Sequence, residues 1–176
     1  FTQSDGFVRF RGGEPTIWDD RARGKAREID WDTKNNQSFL TGAVATTYYS
    51  RRQMGDAAPF AAGDKPVFVT AEKAQFDHNA ETGVYTGNAR SWQDNNYVRA
   101  DVLKIDQKSG MLNADGNVQS GLYNAKLRSG GRESSSSVFV SSASMNYQRE
   151  SRVLRYRTGV DVRQGTDRLT AAVVDV

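Results

Sequence analysis

The only histidine is the residue best suited to acid–base chemistry in this chain of 176 residues. His78 stands between Asp77 and Asn79, in a segment typical of a turn. A catalytic histidine needs a nucleophile and an oxyanion-stabilising group close by, and no nucleophile-elbow pattern accompanies this one. We therefore interpret His78 as a solvated turn residue and predict no catalytic residues and no enzyme.

Metal and thiol chemistry are poorly supported by the composition. The chain has no cysteine, which excludes disulfides, iron–sulfur clusters, thiol nucleophiles and cysteine-based zinc sites. Asp32, Asp77 and Asp106 recur at equivalent positions of a repeat, but no D-x-D-x-D run of calcium ligands is present. Their regularity favours Asx hydrogen bonds that cap turns. We predict no metal and no cofactor.

The charge pattern argues against nucleic acid. The chain has 24 basic and 21 acidic residues, a net charge of +3. Basic residues cluster at 21–27, 51–52 and 149–157, with acids interleaved and without the continuous basic stripe and exposed aromatics that nucleic acid requires. We interpret these clusters first as solvated strand faces.

A repeat is the strongest signal in the sequence. Each copy has a small residue, an apolar residue three positions later and a large residue two positions after that. The four copies begin Ala26-Ile29-Trp31, Ala71-Ala74-Phe76, Ala100-Leu103-Ile105 and Ser142-Met145-Tyr147. Glycine follows eleven positions later in three copies, whereas the fourth has Thr158 and then Gly159. Ala171–Val176 resembles the start of a fifth copy, and Phe7–Phe10 the end of an earlier one.

The periodicity of each copy predicts two strands joined by a turn. Residues 112–122 alternate between apolar and polar, which is typical of a half-buried strand. The apolar parity flips between Ala71 and Ala74, which indicates a bulge or bend. Residues 77–83 and 106–110 have hairpin-turn composition. Residues 22–28 alone have helix-type composition, and they fit the repeat as strand.

We therefore predict an all-β fold, an elongated antiparallel stack of bent hairpins folded over its own apolar face. Residues 1–176 are expected to form a single domain, with inserted loops near 49–66 and 121–137. The first-half pairs of each copy (Ile29/Trp31 and its equivalents) are expected to face the second-half pairs (Leu40/Val44 and its equivalents) across the interior. The predicted lining residues are Ile29, Trp31, Leu40, Val44, Ala74, Phe76, Tyr85, Ala89, Leu103, Ile105, Leu112, Val118, Met145, Tyr147, Tyr156 and Val160. Each could equally be ordinary core.

The residues of the repeat resemble those of the LptA/OstA-like domains of lipopolysaccharide transport. The matching stretches are Val69-Thr-Ala-Glu-Lys-Ala-Gln-Phe-Asp with Tyr85-Thr-Gly-Asn-Ala, and Val98-Arg-Ala-Asp-Val-Leu-Lys-Ile-Asp with Ala114-Asp-Gly-Asn-Val. The resemblance covers roughly residues 24–48, 67–120 and 138–176. Two long inserts and Thr158 depart from the pattern.

The resemblance implies a β-jellyroll, or "β-taco", whose apolar groove holds the acyl chains of lipopolysaccharide or a related lipid. It implies a periplasmic protein that joins other Lpt-type components, or copies of itself, through edge strands near Phe7–Phe10 and Leu169–Val176, forming a bridge across the envelope. The basic clusters would then meet lipid phosphates. A chain that starts at Phe1 without a leader-type apolar stretch is expected to be a mature or trimmed form, and a membrane anchor in the full-length protein stays open.

A second interpretation is a structural or adhesive β-repeat protein that binds polysaccharide or protein on its outer face. The interior distinguishes the two interpretations. A conduit is expected to leave a continuous apolar channel open at both ends, whereas an adhesin is expected to be packed to native density.

Overall fold

Strands and the turns that join them make up the part of the chain that the computed structural model describes. These residues are 6–19, 22–49, 65–129, 132–148, 150–151 and 153–176, without the side chains of 124–136. The strands are β1 (Phe7–Arg11), β2 (Thr16–Trp18), β3 (Ala22–Lys25), β4 (Glu28–Asp32), β5 (Gln37–Tyr48), β6 (Val67–Asp77), β7 (Thr82–Gln93), β8 (Asn96–Asp106), β9 (Met111–Ser129), β10 (Arg132–Gln148), β11 (Val153–Gln164) and β12 (Asp167–Asp175). The predicted all-β class is confirmed.

Antiparallel pairing joins these strands into one sheet in the order β1-β4-β5-β6-β7-β8-β9-β10-β11-β12. Strands β3 and β4 both pair with β5, along residues 45–48 and 37–41 respectively. They are therefore the two halves of one bent strand. Strands β2 and β1 flank these halves in the same way, which gives the sheet two leaves from its first layer onward.

Hydrogen bonds across the interior show that the sheet folds back on itself. Tyr48 pairs with Val67 of β6, whereas Tyr85 pairs with Ala74 of the same strand. Seven residues of extended strand span about 23 Å, yet the two tyrosine hydroxyls lie 2.6 Å apart. The leaf that carries β1, β4 and Tyr85 is called the first leaf, and the leaf that carries β2, β3 and Tyr48 the second leaf.

The bend between the leaves occurs at pairs of residues with positive φ. These corner pairs are Gly42-Ala43, Gly87-Asn88, Gly116-Asn117 and Thr158-Gly159. The register of each neighbouring strand pair shifts at the same place, as between Thr41 and Val44 in β5. The parity flip in the sequence therefore predicted the bend. In the fourth copy Thr158 itself adopts positive φ, although an L side chain rarely does so.

The two central corner pairs are completed by an acidic residue of the preceding strand. Asn88 donates from Nδ2 to Glu72 Oε1 at 3.2 Å, and Asn117 to Asp101 Oδ2 at 2.8 Å. A Cβ at Gly87 would lie 2.6 Å from Glu72 Oε2, so the acidic side chain occupies the space that glycine leaves. This contact explains why an acid in the first half of a copy accompanies Gly-Asn in the second.

The recurring aspartates cap turns, as their spacing predicted. Asp32 accepts the backbone N–H of Lys34, Asp77 that of Ala80, and Asp106 that of Ser109. A side-chain hydrogen bond from Asn35 is the main cause that lowers the pKa of Asp32, and turn N–H groups lower the pKa of the other two aspartates. These carboxylates cap their own turns, and Asp77 also accepts a hydrogen bond from Gln37 of the neighbouring strand.

One expected arrangement of the interior differs in the structure. One row of the first leaf crosses the strands through successive register partners, so its side chains lie next to one another and do not face one another. The row is Ile29, Leu40, Ala74, Tyr85 and Leu103. Antiparallel neighbours at the same rung share a face, whereas the bend carries residues beyond the corner to the second leaf. The residues that face this row lie beyond the corners, with Val44, Ala89, Val118 and Val160 nearest the bend.

The segments expected as inserted loops have different outcomes. Residues 121–129 continue β9, and residues 132–137 belong to β10, so this segment extends a hairpin whose backbone remains paired. Pairing between the two strands satisfies the backbone N–H and C=O groups of this serine-rich stretch. In the other segment, residues 50–64 lie outside the described residues.

Candidate functional site

The middle of the interior is tightly packed. All of the predicted lining residues are buried except Trp31 and Phe76, which lie at the margin. Tyr85, Leu103, Val118 and Tyr156 are completely inaccessible to solvent. A continuous open channel was expected for a conduit, and the described residues instead close the centre of the stack.

Open space lies at one mouth of the stack, between the leaves near its N-terminal end. A cavity of about 280 Å³ lies here, walled by Ile17, Trp18 and Tyr48 from the second leaf and by Trp31 and Phe76 from the first. Trp18 is 76% exposed and Trp31 is 39% exposed. An exposed pair of tryptophans at an apolar opening is typical of a site that receives an apolar ligand.

Sequence reasoning placed only Trp31 and Phe76 of this mouth in the groove. Ile17, Trp18 and Tyr48 were missed because they fall outside the repeat frame, and their position depends on the pairing of β2 with β3 and of β3 with β5. The composition of Ile17-Trp18, two large apolar residues in a short strand, was the available signal.

His78 lies on the rim of this cavity. Its Nε2 is 2.7 Å from the Oγ of Ser38, and its ring centroid is 6.1 Å from that of Trp31 and 6.4 Å from that of Phe76. Burial against these groups lowers the pKa of His78, although Asp19 and Asp77 oppose the shift. The ring is therefore held neutral near pH 7 and forms part of a mouth, a role that its turn position did not predict.

The Ser38–His78 contact lacks the other parts of a catalytic triad in the residues that the structure describes. Asp77 directs its carboxylate to Gln37 and to the N–H groups of Asn79 and Ala80, so it does not orient the imidazole. Ser38 sits within a ladder of three strands, where its neighbours provide no free oxyanion donors of the kind found at a sharp turn. The pair is a hydrogen bond between two residues that line the cavity.

Two hydrogen bonds connect the leaves through the packed centre. Tyr48 bonds to Tyr85, and Ser120 Oγ lies 2.7 Å from the hydroxyl of Tyr156. Burial raises the pKa of Tyr48 and of Tyr156 to about 12, so both hydroxyls remain protonated. Ser91, between them on the second leaf, is buried without a hydrogen-bond partner. Any opening of the leaves must break these two bonds.

The C-terminal mouth is apolar and more exposed. Leu169, Ala171, Val174 and Val176 continue the inner rows at this end, and Leu169 is 53% exposed. Among the described strands, β12 has β11 as its single neighbour, and β1 has β4. Each end of the stack therefore presents an edge strand, as expected for Phe7–Phe10 and Leu169–Val176.

The predicted basic clusters are only partly described. Arg155 forms a bidentate ion pair with Asp175, in which Nε donates to Oδ1 at 2.7 Å and Nη2 donates to Oδ2 at 2.6 Å. The side chain of Arg155 is 46% exposed, which matches the interpretation of a solvated strand face. Arg21, Arg51, Arg52, Arg149 and Arg152 lie outside the described residues.

Within the described ranges, no group of three or more acidic or histidine side chains is arranged to hold a metal ion. In the same part of the chain, no helix has the length and apolar character required to cross a bilayer.

Comparison with known proteins identifies the fold. No family model matches the chain, and no curated protein matches it by sequence. Among solved structures, it is similar to LptH from Pseudomonas aeruginosa, described as the LptA-homologous periplasmic component of the lipopolysaccharide transport device. The TM-score is 0.54 at 13% identity, over 63% of this chain and 75% of LptH. The protein therefore has an LptA-type β-jellyroll fold, as the resemblance of its repeat to LptA/OstA-like domains implied.

Proposed function

We propose that this protein is a non-enzymatic periplasmic component of lipopolysaccharide transport that holds acyl chains between its two leaves. The observation that carries the proposal is the apolar cavity at the N-terminal mouth, within an LptA-type fold whose interior is mainly apolar and includes a few small hydroxyl side chains such as Ser91 and Ser120. Burial of apolar surface, at about 25 cal/mol per Å², favours acyl chains at Trp31 and Phe76.

The packed centre defines how a lipid would enter. A chain binds first at the mouth, where space already exists, and moves inward only as the leaves separate. The Tyr48–Tyr85 and Ser120–Tyr156 bonds resist that separation, so binding is expected to be coupled to their breakage.

Edge strands would join successive units in this proposal. An edge strand presents unpaired N–H and C=O groups, to which another strand can be added. Strand β12 offers nine residues and a row of apolar inner side chains, so a second sheet added there would continue both the ladder and the interior.

Site-specific photocrosslinking to lipopolysaccharide tests the proposal. A photoreactive phenylalanine analogue replaces Phe76 at the cavity, Tyr147 in the inner row, or Phe39 on the outer face of the first leaf as a matched aromatic control. Crosslinks at Phe76, and more weakly at Tyr147, are expected, with none at Phe39. Equal labelling at all three positions, or none at Phe76 in the folded protein, would contradict lipid binding between the leaves.

A further inference from the structure

The outer face of the second leaf carries a row of aromatic side chains. One rung runs across the strands through Thr47, Phe68, Trp92, Tyr97, Gly121, Phe139, Arg163 and Arg168. Phe139 is 39% exposed and Tyr123, beside it, is 37% exposed. Large rings on the solvent face of a sheet are not required by the core, which lies on the other side.

These rings are held in fixed positions. Phe68 and Trp92 stack with centroids 5.5 Å apart, and Tyr123 meets Phe139 edge to face at 5.5 Å. The ring of Tyr97 covers Gly121, since a Cβ there would lie 2.5 Å from Tyr97 Cε1. The rings therefore form a pre-organised platform along the sheet.

Arg90 fixes a positive charge within this platform. Its guanidinium carbon lies 5.3 Å from the ring centroid of Trp92 and 5.1 Å from that of Tyr97. Arg99 is its register partner on the next strand. A cation held against aromatic faces stays available on its outer side for an anion.

A cavity of about 210 Å³ opens beside the platform. Tyr97 and Phe139 contribute to its wall, together with the polar side chains of Gln119, Ser141, Asp161 and Arg163. Aromatic faces combined with hydroxyl, amide and charged groups provide apolar contact and directional hydrogen bonds in one place.

The charge of this face is one-sided. Its two outer rows contain the basic residues Arg23, Lys25, Arg90, Arg99, Arg163 and Arg168, and Asp161 is the one acidic residue in these rows among the described residues. Asp161 accepts hydrogen bonds from Arg163 and Arg168, which lower its pKa and compensate its charge. The outer rows of the first leaf instead mix Glu28, Asp30, Asp115 and Asp175 with basic residues.

We propose that the outer face of the second leaf binds an anionic saccharide. A sugar ring packs against Tyr97 and Phe139, and its hydroxyl groups form hydrogen bonds with Gln119 and Ser141. Its carboxylate or phosphate pairs with Arg163 and with other arginines of the two outer rows. A saccharide fits better than nucleic acid because Asp161 in the cavity wall can accept hydrogen bonds from sugar hydroxyl groups, whereas a phosphodiester backbone offers it no donor. The site lies on the opposite side of the sheet from the interior and does not depend on the proposed lipid site.

Calorimetric titration with lipid-free oligosaccharides tests this proposal. The probes are a panel of uronate, phosphorylated and sulfated oligosaccharides, with neutral oligosaccharides of matched length and a single-stranded oligonucleotide at the same salt concentration. Binding of at least one anionic saccharide is expected. The dissociation constant should rise at least tenfold in Phe139→Ser and in Arg163→Gln, and stay unchanged in Phe39→Ser on the first leaf.

Each other result rejects the proposal. Equal binding of the neutral saccharides would remove the role of the arginines, and tighter binding of the oligonucleotide would assign the face to nucleic acid. Absence of binding across the panel would reject a saccharide site. All three variants change side chains with solvent exposure, so unchanged circular dichroism is expected to show that they fold. Crosslinking at Phe76 reads out the lipid site separately.

Discussion

The centre of the stack and its two ends follow the same repeat but differ in the residues that form the corner pairs and contact them. In the two central copies the corner pairs are Gly87-Asn88 and Gly116-Asn117, each bonded to an acid of the preceding strand. The first copy has Gly42-Ala43 opposite Arg27, and the last has Thr158-Gly159, where a Cβ added at Gly159 would meet no other residue within 4 Å. Acid and asparagine are thus present together or absent together.

The interior differs in the same way. Tyr85, Leu103 and Val118 of the central copies are fully inaccessible, whereas Trp31 and Leu169 near the ends are substantially exposed. The comparison indicates that the repeat in its complete form builds a closed, rigid section, and that departures from it are tolerated where the molecule is open. Adaptability in this fold is therefore expected at the mouths and not at the centre.

The largest expected effect is at a central corner. Gly116→Ala introduces a Cβ at a φ of +76°, against Asp101, and disturbs the bond from Asn117. The free energy of unfolding should fall by about 2–4 kcal/mol, from backbone strain and overpacking together. Gly159→Ala is the comparison at the last corner, where glycine is the second residue of the pair. It also has positive φ, but a Cβ there would meet nothing within 4 Å, so the change should cost only the strain, about 1–2 kcal/mol. Urea denaturation measures both, and equal losses would contradict the difference between centre and end.

A smaller effect is expected from the serines of the interior. Ser120→Ala leaves the buried hydroxyl of Tyr156 without a partner, which should cost about 1–3 kcal/mol in the free energy of unfolding. Ser91→Ala, at the equivalent position of the preceding copy, removes a hydroxyl that has no partner, so stability should be unchanged or higher. The two unfolding midpoints should move in clearly different ways. If both variants lose the same stability, the Ser120–Tyr156 bond does not hold the leaves together.

The smallest expected effect is a pH dependence at the N-terminal mouth. The pKa of His78 lies below its ordinary value of 6.5, so folding favours the neutral ring. Above that pH both states are neutral and no stability is lost, whereas between pH 6.5 and the lower folded pKa the unfolded state binds the proton and stability falls. His78→Gln keeps a hydrogen bond to Ser38 but cannot titrate.

Melting temperatures at pH 7.5 and pH 5 measure this effect. The wild-type protein should lose more on acidification than His78→Gln. The turn aspartates do not affect this comparison of melting temperatures. Their pKa values lie below 3.8, so their contribution to stability is lost only at a pH lower than 5. Identical losses in the two proteins would remove His78 as the cause.

The sequence predicts the fold well because its signals are local. Alternation along residues 112–122 reports which side chains are buried, and the parity flip at Ala71 and Ala74 reports the bend. The two proposed binding surfaces are not specified locally, because they depend on which strands pair. Arg90 meets Tyr97 only because the register of β7 and β8 aligns them, and Trp18 reaches the mouth through strand pairs outside the repeat.

The close packing at the centre of the stack also could not be predicted from the sequence. Periodicity identifies Leu103 and Tyr156 as inward-facing but does not fix the distance between the leaves, which depends on how side chains from both leaves fit together. An open groove and a closed core therefore share one pattern.

Each bend of this sheet is specified within a single hairpin. Asp101 and Asn117 are separated by 16 positions, as are Glu72 and Asn88, so the chemistry that folds a copy does not depend on more distant copies. The number of hairpins in the stack can therefore change without altering how each hairpin bends. Duplicating one complete hairpin would lengthen the stack by two strands, about 10 Å, so the length of a protein of this kind can change in steps of whole hairpins.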